Sequence, residues 1–160
     1  METEVEREAV EVINTELVFP THANHYGTIF GGRVLELMDL TAALAAMRFA
    51  KEDAVTASID AVDFKKPIKV GDIMELKAKV INTGRTSMVV RVEVYRVGKF
   101  HSRRDSTCVG YLVFVAVGAN GEPREVPKLK LVTDEDKKYW DIGERIRQRS
   151  KERKKREEVE

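Results

Sequence analysis

Asn24-His25-Tyr26-Gly27-Thr28-Ile29-Phe30-Gly31-Gly32-Arg33-Val34-Leu35-Glu36-Leu37-Met38-Asp39 is the stretch on which the reading of this chain turns. A polar loop rich in His, Asn and Gly ends in a glycine pair, and an apolar segment begins there. From Arg33 to Phe49 there is no Gly or Pro, and the good helix formers Leu, Met and Ala dominate. The spacing predicts one long helix. Apolar residues fall on almost every side of it, so it is expected to be wrapped by the chain rather than laid on a surface. Asp39 sits about two turns in. An apolar helix rarely tolerates an acid without a partner or a chemical task. Leu35, Ala42, Ala43 and Ala46 share its side at helical spacing. That side is smooth enough for another backbone or a narrow ligand to lie close.

On either side of this helix the pattern is that of strands. Ala9 to Phe19 alternates imperfectly and is closed by Pro20. After Lys51-Glu52-Asp53, Ala54 to Phe64 is strand-like, with Pro67 and Gly71-Asp72 marking the turn that follows. Leu76, Ala78 and Val80 then alternate with Glu75, Lys77 and Lys79, as in a half-buried antiparallel strand. Thr83 to Ser87 breaks the run, and Val90, Val92 and Val94 resume it. Gly98 to Asp105 is a polar, basic loop, and Thr107 to Val117 is apolar enough for a central strand. Asn120-Gly121 marks a turn, and Pro123 and Pro127 end the compact part. From Thr133 the composition shifts to a charged helix with an end expected to fray, running through Lys151-Glu152-Arg153-Lys154-Lys155-Arg156.

This order predicts an α+β domain over residues 1–130, one helix wrapped by an antiparallel sheet of about five strands, with a charged helical tail over 131–160. A lone wrapped helix leaves sheet edges and surfaces to be covered, and self-association is the expected cover.

The bulk properties narrow the function. The chain has 160 residues and a formal net charge of +1, so no large field steers it to nucleic acid. Cys108 is its only cysteine, which excludes a disulfide framework or a cysteine-based zinc site within one chain. His22, His25 and His101 are too scattered for a metal site, and no metal or cofactor is expected. The acidic start, Met1 to Glu6, has no apolar signal region, and no apolar run is long enough to span a membrane. A cytoplasmic, soluble protein is expected.

Taken together, several short motifs resemble the hotdog-fold acyl-CoA thioesterases, in the branch of bacterial and cytosolic acyl-CoA hydrolases. They are His22-Ala23-Asn24 with Gly27, Phe30-Gly31-Gly32, Met38-Asp39, Val55-Thr56-Ala57, Asp63-Phe64 with Pro67, Gly71-Asp72, Gly84-Arg85-Thr86-Ser87-Met88, Phe114 to Val117 and Val126-Pro127. Their order and spacing hold from about Glu16 to Leu129. The resemblance implies a hotdog fold, a long helix inside a curved antiparallel sheet, paired into a double hotdog with the active site at the dimer interface. For single-domain members it commonly implies a trimer of dimers. Two positions depart from the pattern: some relatives have His where Phe49 stands, and many have Asp where Gly118 stands. These put the subgroup and substrate in doubt, not the reaction.

Thioester hydrolysis needs an activated water, a polarised carbonyl and a leaving thiolate. Asp39, beside Leu35 and alanines, is expected to be partly desolvated, which raises a carboxylate's basicity toward water. Direct attack to form an acyl-enzyme is the competing mechanism. Gly31 and Gly32 place unpaired backbone N–H groups at a helix N-terminus, a ready polarising site for the carbonyl oxygen. Asn24 is either a turn former or a neutral amide that holds the water or the thioester oxygen. The resemblance implies that Asn24 and Asp39 act together from opposite subunits. It also places Val55, Thr56 and Ala57 beside the pantetheine arm as a backbone edge. Gly84, Arg85, Thr86 and Ser87 fall on the nucleotide side, where Arg85 would meet a phosphate and the two hydroxyls would donate. Arg103 and Arg104 form a second phosphate candidate. Phe30, Leu35 and Met38 are candidates for the acyl pocket. Asp39 has a structural alternative, an ion pair with Arg33 or Arg48. The rival functions are a hotdog hydroxyacyl-thioester dehydratase and a non-catalytic acyl-CoA-binding module.

Overall fold

The structure is a computed structural model that describes residues 6–100 and 103–159. In chain order the elements are β1 (Glu6–Arg7), β2 (Val12–Leu17), α1 (Gly31–Ala50), β3 (Asp53–Ile59), β4 (Ile73–Thr83), β5 (Ser87–Val97), β6 (Arg104–Val117), β7 (Lys128–Leu129) and α2 (Asp134–Val159). Five strands form one antiparallel sheet in the order β2-β4-β5-β6-β3. β1 and β7 pair as a short parallel ladder apart from it.

The alternation read in the sequence decides which face of the sheet meets α1. Met74, Leu76, Ala78 and Val80 of β4 and Val90, Val92 and Val94 of β5 are buried on the concave face. From α1, Val34, Leu37, Met38 and Phe49 fill the space between, and Ala42 and Ala46 are fully buried. The small-residue side of the helix therefore receives the protein's own sheet rather than a ligand. Register shifts between Val80 and Asn82 on β4 and between Thr56 and Ser58 on β3 place single-residue bulges in two strands. Such bulges bend a strand and add twist, which suits a sheet that curls around a helix.

The wrapping is less complete than the apolar pattern implies. Leu40 is 54% exposed and Leu44 37%. At i and i+4 they form a bare apolar stripe on α1. Nearby, β3 ends the sheet with no strand on its outer side among the described residues. The strand expected over Ala54 to Phe64 stops at Ile59. Beyond it the chain still follows β6, through the Asp60 N–H to the Tyr111 carbonyl and the Lys65 N–H to the Thr107 carbonyl.

The C-terminal segment departs most from its expected form. The expected charged helix is α2, helical through Val159, and its first half packs on the convex face of the sheet rather than forming a separate tail. Ile146 is buried with Ile81, Val89 and Val113, and Tyr139, Ile142 and Tyr111 close around them. A capping box starts the helix: the Asp136 N–H donates to Thr133 Oγ1 at 3.0 Å, and Asp136 Oδ2 accepts from the Thr133 and Val132 N–H groups. Those bonds hold the Asp136 carboxyl below its usual range. The buried Asn82 amide fastens the helix to β4, donating to the Trp140 carbonyl at 3.0 Å and to Glu144 Oε1 at 3.1 Å.

Gly143 sits directly over that asparagine. A Cβ there would lie 2.4 Å from Asn82 Cβ and 3.0 Å from its Cγ. Asn82 is held by its own hydrogen bonds and has no room to give way. Gly143→Ala, which favours a helix intrinsically, should therefore lower stability, by about 1–3 kcal/mol in urea unfolding.

Candidate active site

The site is assembled where α1 meets β3. Asp39 projects from the helix toward the edge strand, and Thr56 Oγ1 donates to Asp39 Oδ1 at 2.6 Å. The carboxylate is half-buried and makes no ion pair among the described residues, and its Oδ2 has no protein donor. Arg33, one of the candidate partners, is taken by Glu36 at 3.1 Å. Asp39 is thus positioned by a neutral hydroxyl and keeps one oxygen open.

The register of β3 sets this contact, and the bulge at Ala57 divides the strand's two faces. Thr56 pairs with Phe114, whose ring is in the core, so its side chain turns to the α1 face. After the extra residue, Ser58 pairs with Val113 and turns to the opposite face, where Ser150 of α2 lies 3.3 Å away, hydroxyl to hydroxyl. Without the bulge, Ser58 would share the face of Thr56.

At the other end of α1, Phe30 precedes the helix without a side-chain cap. The N–H groups of Arg33 and Val34 both return to the Phe30 carbonyl, and those of Gly31 and Gly32 have no acceptor among the described residues. Both glycines are exposed. A Cβ on Gly32 would meet nothing within 4 Å, and one on Gly31 would touch only the Phe64 ring, at 3.5 Å. Two free donors at the positive end of the helix dipole therefore face open space. Along the axis they lie about 12 Å from Asp39, at 1.5 Å per residue.

Asn24 does what a turn former does. Its Oδ1 accepts from the Tyr26 N–H at 2.9 Å, the Thr28 N–H at 3.2 Å and Thr28 Oγ1 at 3.1 Å, and its own N–H donates to the Thr28 carbonyl at 2.8 Å. The side-chain oxygen is saturated. Only the Nδ2 amide remains to meet a ligand, so of the two roles open to Asn24 as a ligand-holding amide, only donation survives.

The CoA candidates gather at one end of the sheet. Ser87 pairs with Val115, and Val115 pairs with Val55, so the hairpin Gly84 to Ser87 lies level with Val55 two strands away. That is about 10 Å at normal strand spacing. Arg85 is exposed, with Glu125 at 4.0 Å. Thr86 and Arg85 give their carbonyls to the Ala116 and Val126 N–H groups. Val55 is 52% exposed. Thr56 directs its hydroxyl to Asp39 and Ala57 is the bulge residue, so it is the backbone of this stretch that remains as the candidate pantetheine edge. Arg103 and Arg104 belong to the opposite end, paired with Asp105 and Glu75. Of the acyl-pocket candidates, Met38 is core, 1% exposed, with its methyl at Gly110, so it lines no open tunnel in the single chain. Leu35 is half-buried and Phe30 exposed. Cys108 is buried, which pushes its thiol up to about 11. His101 lies outside the described residues. No helix is long and apolar enough to cross a membrane among the described residues.

A long helix inside a curled five-stranded antiparallel sheet, here with an acid on the helix facing an edge strand, is the architecture of the hotdog fold. Residues 26–99 match the family model of the thioesterase superfamily. An acyl-CoA thioester hydrolase of Bacillus subtilis is 36% identical over 126 residues, covering 79% of this chain and 73% of that protein. A hexameric acyl-CoA thioesterase solved in its apo form superposes with a TM-score of 0.87 at 41% identity, over 92% of this chain and 96% of the other. An acyl-CoA hydrolase of Staphylococcus aureus, solved with butyryl-CoA, CoA and CoA disulfide, gives 0.84 at 36% identity, over 93% and 92%. The same enzyme has been solved as three alanine variants, of one asparagine, one aspartate and one threonine. The chain belongs to the thioesterase superfamily, among its acyl-CoA thioester hydrolases.

The double nature of Asn24 can be separated by substitution. Asn24→Asp keeps an oxygen for the three loop donors, whereas Asn24→Ala removes it. In thermal and urea unfolding the alanine variant should lose about 1–2 kcal/mol and the aspartate variant markedly less.

Proposed function

We propose that this chain hydrolyses acyl-CoA to the free carboxylic acid and CoA, with Asp39 as general base, at a site shared by two copies. The observation that carries the reading is the Asp39 carboxylate, held at Oδ1 by Thr56 and open at Oδ2. In the S. aureus enzyme the asparagine, aspartate and threonine chosen for substitution are separated by 15 and 17 residues. Asn24, Asp39 and Thr56 have the same separations here.

The distance along α1 supports the sharing. One thioester carbon cannot be within about 3 Å of a water on Asp39 and also have its oxygen on donors about 12 Å away on the same helix. A second copy placing its own Gly31–Gly32 end opposite Asp39 removes the conflict. The exposed Leu40 and Leu44 and the open edge of β3 are the surfaces such a copy would cover. A dimer is the minimum the site requires. The hexameric relatives support a trimer of dimers.

In the mechanism, Asp39 Oδ2 takes a proton from water as the oxygen attacks the thioester carbon. The oxyanion forms against the partner's free helix N–H groups, where one such donor is typically worth about 3 kcal/mol. Asn24 Nδ2 donates to the water or to the developing oxyanion. Collapse breaks the C–S bond, and the thiolate of CoA leaves. Val55 and the hairpin Gly84 to Ser87 bound the path of the CoA moiety from the sheet edge.

Steady thiol release from acyl-CoA, read with a chromogenic disulfide, tests the activity itself. Acyl-CoA consumed without thiol would mean a dehydratase, and tight binding without turnover a binding module. Asp39→Asn should lower kcat about a thousandfold with the fold intact. Asn24→Asp should lower turnover while keeping the loop. For Thr56, the serine variant should retain activity, and the isosteric Thr56→Val should lose about ten- to a hundredfold in kcat. Wild-type turnover in Thr56→Val would remove its positioning role.

A further inference from the structure

The second half of α2 carries the strongest local charge in the protein. From Arg145 to Arg156 there are eight Lys or Arg residues and one acid, Glu152. The segment holds +7, and with Glu157, Glu158 and Glu160 after it residues 145–160 hold +4, so against a total of +1 residues 1–144 hold −3. A body of that sign repels a polyanionic substrate, and the segment reverses it locally.

Its position matters as much as its charge. α2 crosses the convex face so that Arg147 packs on the hairpin: a Cβ on Gly84 would lie 3.3 Å from the Arg147 guanidinium carbon. Nη1 of Arg147 donates to Glu144 at 3.3 Å, while Nε and Nη2 find no acceptor in the protein. The hairpin is thus backed by a guanidinium that is paired with Glu144 and keeps two buried N–H nitrogens without an acceptor among the described residues. Farther along, Ser150 meets Ser58, and Arg149 Nη2 lies 3.4 Å from Asp60 Oδ2 at the end of β3. The residues from Lys151 to Glu158 are exposed. One basic segment therefore runs past both stretches that bound the CoA path, Gly84–Ser87 and the β3 edge. It has no apolar face beyond Ser150, so charge is what it offers.

We infer that the second half of α2 receives the phosphates of the CoA moiety and so selects CoA thioesters over phosphate-free pantetheine thioesters. This rests on the hydrolase reading above. CoA carries a diphosphate and a 3′-phosphate, the groups guanidinium and ammonium donors recognise. The alternative occupant, an acidic carrier protein bearing the same pantetheine arm, is an outcome of the test.

The test is the triple variant Lys151→Gln, Arg153→Gln, Lys154→Gln, which changes only exposed side chains and keeps good helix formers. It is compared with wild type on acyl-CoA, acyl-carrier protein and acyl-pantetheine of one acyl length. The ratio of kcat/KM for CoA over pantetheine should fall about tenfold, and the fall should shrink at about 0.5 M salt. By calorimetry the Kd of CoA itself should rise about tenfold. A ratio and a Kd both within about a factor of two of wild type would overturn the inference. So would a loss confined to the carrier-protein substrate. Failure of the hydrolase reading looks different: wild type then releases no thiol from any of the substrates, and the calorimetric comparison still decides the role of α2.

Discussion

The hydrogen bond from Thr56 to Asp39 joins the helix to the edge strand, and the candidate chemistry depends on it. It orders one carboxylate oxygen without neutralising the charge, which an arginine in the same place would do. The bond exists because Thr56 pairs with the core residue Phe114 and so faces α1, and the bulge at Ala57 then turns Ser58 toward α2. One short strand thus looks two ways. Its inner face orients Asp39, its outer face anchors the C-terminal helix, and its free edge stays open among the described residues.

That open edge and the bare Leu40–Leu44 stripe mark a surface left incomplete in the single chain. The incompleteness has a geometric counterpart in the chemistry. The free N–H donors at the start of α1 and the carboxylate of Asp39 lie on one rigid rod, too far apart to serve one carbonyl. Apolar exposure and catalytic separation both resolve when a second copy lies alongside. In the proposed reading, association builds the active site as well as adding stability.

Helix α2 gives the sheet a second layer. The concave face is filled by α1, and the convex face, which would otherwise expose Val89 and Val113, is covered by Ile146 and its neighbours. The buried Asn82 sets the register of this packing, since its amide has two specific acceptors on α2 and Gly143 alone leaves room for it. Fixing the first half of the helix also fixes where the basic second half emerges, beside the hairpin and the β3 edge.

Local pattern was enough for much of this. The period-two alternation of β4 and β5, the Gly- and Pro-free run of α1, and the glycine pair before it each depend on near neighbours alone, so the elements and the wrapped helix were legible in the chain. So were Asn24 and Asp39 as candidates, through their resemblance to a family. What the chain could not show is any contact made by register. Thr56 reaches Asp39 because its strand pairs Thr56 with Phe114, and Ser58 reaches Ser150 only because of the bulge at Ala57, and no spacing announces either. Tyr139, Ile142 and Ile146 form a helical stripe, but a run of charge hides it, and its purpose needs the outward side chains of strands β5 and β6. Asn24 looked equally suited to a turn and to a ligand, and its three donors decide how its two ends are divided. Secondary structure follows from short-range preference and burial pattern, whereas which donor meets which acceptor waits for the tertiary packing that brings residues distant in sequence within 3 Å.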